Sequence, residues 1–190
     1  NLQMFAHHVG KYDYVLPRQG CTQRKIWVCE AYRFLKALDR IGDFYSYTER
    51  AYDLFYGKLF EEEGEDYGRI NPLNKSIPWG GITGSAMCGV SYHILTRGDK
   101  RIFDKFKDKI YASFEWIERQ RAKSKKIENC IEGLMPPMQA SDWPEVNQVW
   151  LTDYLSCEGM LEAAKCFKVF GDERADKILM PPLGPIPLTV

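Results

Sequence analysis

The chain has 190 residues, enough for one domain that buries about 70% of the surface its unfolded form would expose. Lysine plus arginine and aspartate plus glutamate number 26 each, so no net field draws nucleic acid or an anionic membrane. No uncharged apolar run approaches the roughly 20 residues of a membrane span.

In chain order, the hydrophobic periodicity predicts helices at about 22–41, 44–62, 82–97, 100–122, 146–170 and 172–179. No stretch alternates convincingly as a strand. The helices come in pairs, because three times an apolar helix runs into Gly-Asp and a more amphipathic helix follows. The three copies are "AYRFLKALDRIGDFYSYTERAYDLFYGKLF", "MCGVSYHILTRGDKRIFDKFKDKIYASFEWIERQ" and "MLEAAKCFKVFGDERADKI". Gly42, Gly98 and Gly171 suit the left-handed position just past a helix end, and Asp43, Asp99 and Asp172 are placed to cap the next helix. Each unit therefore reads as a helical hairpin, and the Gly-Asp pairs stand 56 and then 73 residues apart.

The connections between hairpins also match. "DYGRINP" precedes Trp79 and "IEGLMPP" precedes Trp143, the tryptophan standing seven residues after the proline in both. The first, third and fifth helices carry more small and apolar residues, whereas the second and fourth carry more charge, which predicts an inner and an outer layer. The fold class is thus all-α, three consecutive hairpins in a single domain over 1–190. The tail "MPPLGPIPLTV" is too rich in proline to continue a helix.

Of the six cysteines, Cys29, Cys88, Cys157 and Cys166 lie among apolar helical neighbours and read as buried, reduced thiols. No Cys/His set has ligand spacing, so no metal is expected. "PWGGITGSAM" follows no strand and lacks a lysine, and no other phosphate loop, Ser-His-Asp order or HExxH occurs, so no cofactor is expected. Reduced thiols and the lack of a signal-peptide pattern favour a cytoplasmic setting. A chain opening on Asn rather than Met fits a processed chain, a recombinant piece or part of something longer.

An apolar helix, Gly-Asp, an amphipathic helix, then a Gly-Leu-x-Pro loop and an acid beside a tryptophan: this combination resembles the six-hairpin glycosidases, whose fold is an (α/α)6 toroid. "EGLMPPMQASDWPEVNQVWLTDYLSCEGMLEAAKCFKVFGDERAD" carries most of the resemblance, and residues 12–179 fit it. It implies about half of a toroid, to be completed by the rest of a longer chain or by a second subunit. It also implies a carbohydrate substrate, cleaved by carboxylate general acid and base catalysis. The Arg-Asp pair such enzymes often show after the first tryptophan is replaced here by "WVCEA", where Glu30 takes the place of the acid.

In such a ring the inner helices aim their N-termini at one face, and the loops entering them line a funnel. The expected loops, about 12–24, 63–81 and 123–146, hold Arg18, Gln19, Arg24, Asp66, Arg69, Trp79, Glu132, Gln139, Asp142, Trp143 and Glu145, with Trp27 and Glu30 one turn into the first helix. Asp142 beside Trp143 is the leading catalytic acid, with Glu145 and Glu30 as the other catalytic candidates. Trp27, Trp79 and Trp143 would stack on sugar faces, and Arg69, Gln139 and Asp66 would bind hydroxyls. Each has a plainer reading. Asp142 suits a helix cap ahead of Pro144, Glu30 an ion pair with Arg24 or Arg33, and the tryptophans packing. Trp116 and Trp150 read as core, and His93 as a satisfied core residue. Two other functions stay open. One is a non-catalytic helical-repeat module that binds carbohydrate or protein through an aromatic rim. The other is a sugar epimerase or polysaccharide lyase, which the scarcity of histidine in the loops disfavours.

Overall fold

The structure, a computed structural model, describes residues 6–8, 15–17, 27–72, 79–139 and 145–179. Among the described residues six helices carry the fold: α1 (Val28–Ile41), α2 (Tyr45–Gly57), α3 (Gly81–Arg97), α4 (Lys100–Ser124), α5 (Trp150–Val169) and α6 (Arg174–Leu179). Gly42 and Gly98 end α1 and α3 with φ of 98° and 60°, a left-handed turn that glycine adopts without strain. Each returns its N–H four residues back, to Leu38 and Ile94. Asp99 then caps α4 by accepting from the Arg101 N–H at 2.9 Å, and Asp172 accepts from the Arg174 N–H at 3.1 Å. Asp43 makes no such cap. The chain takes one more residue to turn, and Phe44 occupies the capping position of α2 without a side-chain bond.

Contacts along the helices fix their directions. Lys36 meets Cys88 and Asp39 meets His93, so α1 and α3 run the same way. Trp79 meets Thr152 and Gly84 meets Gly159, so α5 runs with them. Thr48 meets His93 whereas Tyr52 lies against Gly89, so α2 runs in the opposite direction. Glu49 and the Tyr56 carbonyl meet Lys105 and Lys109, which sets α4 parallel to α2. The result is two layers, with α1, α3 and α5 parallel in one and α2 and α4 antiparallel to them in the other. Three hairpins side by side give this all-α arrangement.

The central helix α3 explains the core. It is flanked by α1 and α5 and backed by α2 and α4, so every residue from Gly81 to Ser91 is buried. Its approach to α5 is backbone to backbone. A β-carbon on Gly84 would collide with the Leu155 carbonyl, and one on Gly159 with the Gly84 carbonyl. Aromatic side chains fill the space between the layers, with Tyr32, Tyr52, Tyr56, Phe55 and Phe167 among the largest fully buried groups.

At the C-terminal ends of α1 and α3, a polar set is sealed inside. Asp39 Oδ1 accepts from the Thr48 hydroxyl at 2.6 Å and lies 2.9 Å from His93 Nδ1. Asp39 Oδ2 and His93 Nε2 have no protein partner, so His93 is a core residue satisfied on one side alone.

Four expectations need correction. Trp150 is not core but 74% exposed, and Cys157 is exposed rather than buried, because both face outward from the last inner helix. The second helix stops at Gly57 rather than near 62, since the chain beyond folds back through a bridge between Phe60 and Ile70. The fifth helix starts at Trp150, four residues later than its pattern suggests. The intervening residues are strand: β3 (Met138–Gln139) pairs antiparallel with β4 (Val146–Asn147), and β1 (Ala6–His8) pairs likewise with β2 (Val15–Pro17). Cys29, Cys88, Cys166 and Trp116 are buried as expected, and no disulfide joins the described cysteines.

Candidate functional site

Because the inner helices are parallel, their N-termini share one end of the molecule. The segment 131–139 is clasped across this end by several hydrogen bonds. Gln148 binds the Ile131 N–H and the carbonyls of Ile131 and Met135, and Asp153 accepts from the Met135 N–H at 2.8 Å. The Met138 sulfur accepts from the Gly80 N–H at 3.0 Å, at the start of α3. Trp79, in the turn before α3, donates its indole N–H to Thr152 at 2.8 Å, tying α3 to α5. Gly80 and Gly81 leave no room for a side chain here, with the Met135 methyl and the Trp79 ring each 2.9 Å from where a β-carbon would stand.

Several described carboxylates stand at this end, among them Glu132, exposed in the clasped segment. Glu30 is exposed in the first turn of α1, and Glu145 is exposed immediately before β4. Asp153 is half-buried in the first turn of α5. Burial raises its pKa above the ordinary carboxylate value, against the lowering pull of the Met135 N–H and of Arg121. Asp153 is thus the described acid at this rim best suited to retain a proton. Sequence reasoning missed it because it sits inside a helical pattern, "WLTDYL", rather than in a loop. Its place three residues into an inner helix was the available signal.

The other predicted site residues divide. Gln139 lies half-buried in β3, one residue beyond Met138, and therefore belongs to the rim. Trp27 is half-buried immediately before α1 and packs against the core. Trp79 is 5% exposed, so its ring faces belong to the interior. Asp66 and Arg69 pair with each other at 3.1 Å, while Asp66 also accepts from the Trp116 indole and Arg69 lies over that ring at 5.8 Å. Both are thereby tied to the outer helix α4 rather than aimed over the inner ones. Glu30 makes no ion pair with Arg33, whose guanidinium instead lies 5.4 Å over the Tyr32 ring. Asp142 and Trp143, like Arg18, Gln19 and Arg24, lie outside the described residues.

No group of three or more metal-ligating side chains occurs among the described residues, and no described helix is long and apolar enough to cross a membrane. Comparison with family models, with curated proteins and with solved structures finds no match to this chain.

Proposed function

We propose that the chain forms part of a hairpin ring that cleaves glycosidic bonds of an oligo- or polysaccharide at the N-terminal rim of its inner helices. The observation that carries this reading is the common direction of α1, α3 and α5. It gathers Glu30, Gln139, Glu145 and Asp153 at one end. Glycoside hydrolysis needs one carboxyl that keeps its proton for the leaving oxygen and a second, ionised one that activates water or attacks the sugar. Asp153, with its raised pKa, fits the first role alongside Asp142, and exposed Glu30 and Glu145 fit the second. The chemistry requires no cofactor.

The experiment is turnover of aryl glycosides and a panel of oligosaccharides by the chain, with Asp142→Asn, Asp153→Asn, Glu145→Gln and Glu30→Gln alongside. A loss of about a hundredfold or more in one of the acids, the share a general acid or base supplies, would support the reading. Turnover unchanged in all four, or none from the parent, would remove it.

One observation favours a second reading, a non-catalytic helical-repeat module that binds carbohydrate or protein. Both outermost inner helices leave apolar stripes uncovered at helical spacing: Trp150, Tyr154 and Leu161 on α5, and Phe34 and Ile41 on α1. On the ring reading, these edges receive the remaining hairpins, from a longer chain or a second subunit.

A further inference from the structure

Below the rim, side chains from all three inner helices meet. The Tyr32 hydroxyl of α1 donates to Glu158 Oε2 of α5 at 2.7 Å, reaching across the front of α3. Lys36, one turn after Tyr32, places its ammonium 3.4 Å from the Cys88 sulfur of α3, 3.8 Å from Glu158 Oε1 and 4.8 Å over the Tyr92 ring. The floor between them is the Cys88 sulfur of α3.

The bonding capacity left over is specific. Burial and the neighbouring Glu158 hold the Tyr32 phenol far above its ordinary pKa, so it remains a donor and never competes as an anion. Burial, and after it Glu158, push the Cys88 thiol up to about 12, so the sulfur is a neutral floor rather than a nucleophile. Glu158 has Oε2 bonded to the Tyr32 hydroxyl and Oε1 held only by an ion pair too long to be a hydrogen bond. Lys36 has three donors and spends one on a weak sulfur acceptor. Their side chains are 24% and 29% exposed, so the unused acceptor and donors are reachable from solvent.

We propose that Tyr32, Lys36 and Glu158 form a binding subsite for adjacent hydroxyls of a neutral sugar. One hydroxyl donates to Glu158 Oε1 while its neighbour accepts from the Lys36 ammonium, a pairing that a vicinal diol supplies from two consecutive carbons. The patch is close to neutral and suits an uncharged ligand: Lys36 and Arg33 both act on Glu158, while Glu162, one turn on, acts on Lys36 and is itself paired with Lys165 at 3.5 Å. The choice of a sugar rests on the carbohydrate reading above, but the binding step requires no turnover.

The test is calorimetric titration of the chain with maltotriose, cellotriose and xylotriose. At least one should bind, and Glu158→Gln and Lys36→Met should each weaken it about tenfold or more, the worth of a hydrogen bond to a charged group. A merely structural bridge between α1 and α5 would instead lower the unfolding midpoint of Glu158→Gln while leaving sugar affinity unchanged. Should the variants fail to fold, acetylation of the unsubstituted chain, mapped by peptide mass spectrometry, decides. Bound sugar should slow modification of Lys36 and spare exposed Lys125. No binding and no protection, or equal affinity in the variants, overturns the subsite. Turnover with unchanged variant affinity would keep the enzyme reading and remove the subsite; affinity lost in the variants with no turnover in the parent would do the reverse.

Discussion

Asp153 shows how a single half-buried acid couples stability to pH. Its pKa in the folded chain stands above its unfolded value, so folding favours the protonated form. Its contribution to stability is therefore fully present below the ordinary carboxylate range and is lost as pH rises through the raised value. Asp153→Asn keeps an oxygen for the Met135 N–H but cannot ionise, so relative to the parent it should gain stability between acid and neutral pH. Urea unfolding of both chains at those two pH values measures the difference, and every other carboxylate cancels from it. An equal pH response in the two chains would mean that the burial of Asp153 exerts no effect on its titration. Residue-level reading of the sequence succeeded where the answer was local, as with the Asp99 and Asp172 caps and the buried Trp116. It failed for Trp150, because α5 carries apolar residues on both faces and nothing within one helix tells which face finds a partner.

Among the elements, the α3–α5 contact is the most demanding. Two glycines, 75 positions apart, bring two backbones together, and each leaves its neighbour's carbonyl no space for a methyl group. Gly84→Ala and Gly159→Ala should each destabilise the fold by about 1–3 kcal/mol or more through overpacking. Gly98→Ala has open space around it and is strained only by its positive φ. Thermal and urea unfolding of the three variants would rank them, and an order with Gly98→Ala far the worst would contradict the packing account. Helices were legible because the apolar spacing and the Gly-Asp punctuation are both local signals. The β3–β4 ribbon was not, since two-residue strands carry no measurable alternation and form only because Gln148 and Asp153 fix the neighbouring loop. The rim followed from the hairpin pattern, whereas the Tyr32–Glu158 bridge spans 126 residues and no spacing rule reaches that far.

For the whole molecule, the order of the hairpins decides which parts hold together. Each hairpin packs chiefly on its neighbours, so stability is close to a sum of unit and interface contributions along a line. The middle hairpin has an interface on both sides and the outer two have one each. Tyr32 and Glu158 soften that arithmetic by linking α1 directly to α5, so loss of either outer hairpin also breaks a bond to the other.

Such a line has an order of opening. Deuterium should enter the amides of α1 and α5 through fraying of the two ends, while those of α3 wait for the whole array to dissolve. Exchange followed by mass spectrometry would then find its slowest peptides in Gly81–Ile94, a stretch whose own glycines and serines would make it a poor helix in isolation. The most persistent segment of the chain would owe its persistence to its neighbours on either side. Docking a partner on the exposed edge of α5 would slow α5 more than α3, which makes the exchange pattern a gauge of what completes the array.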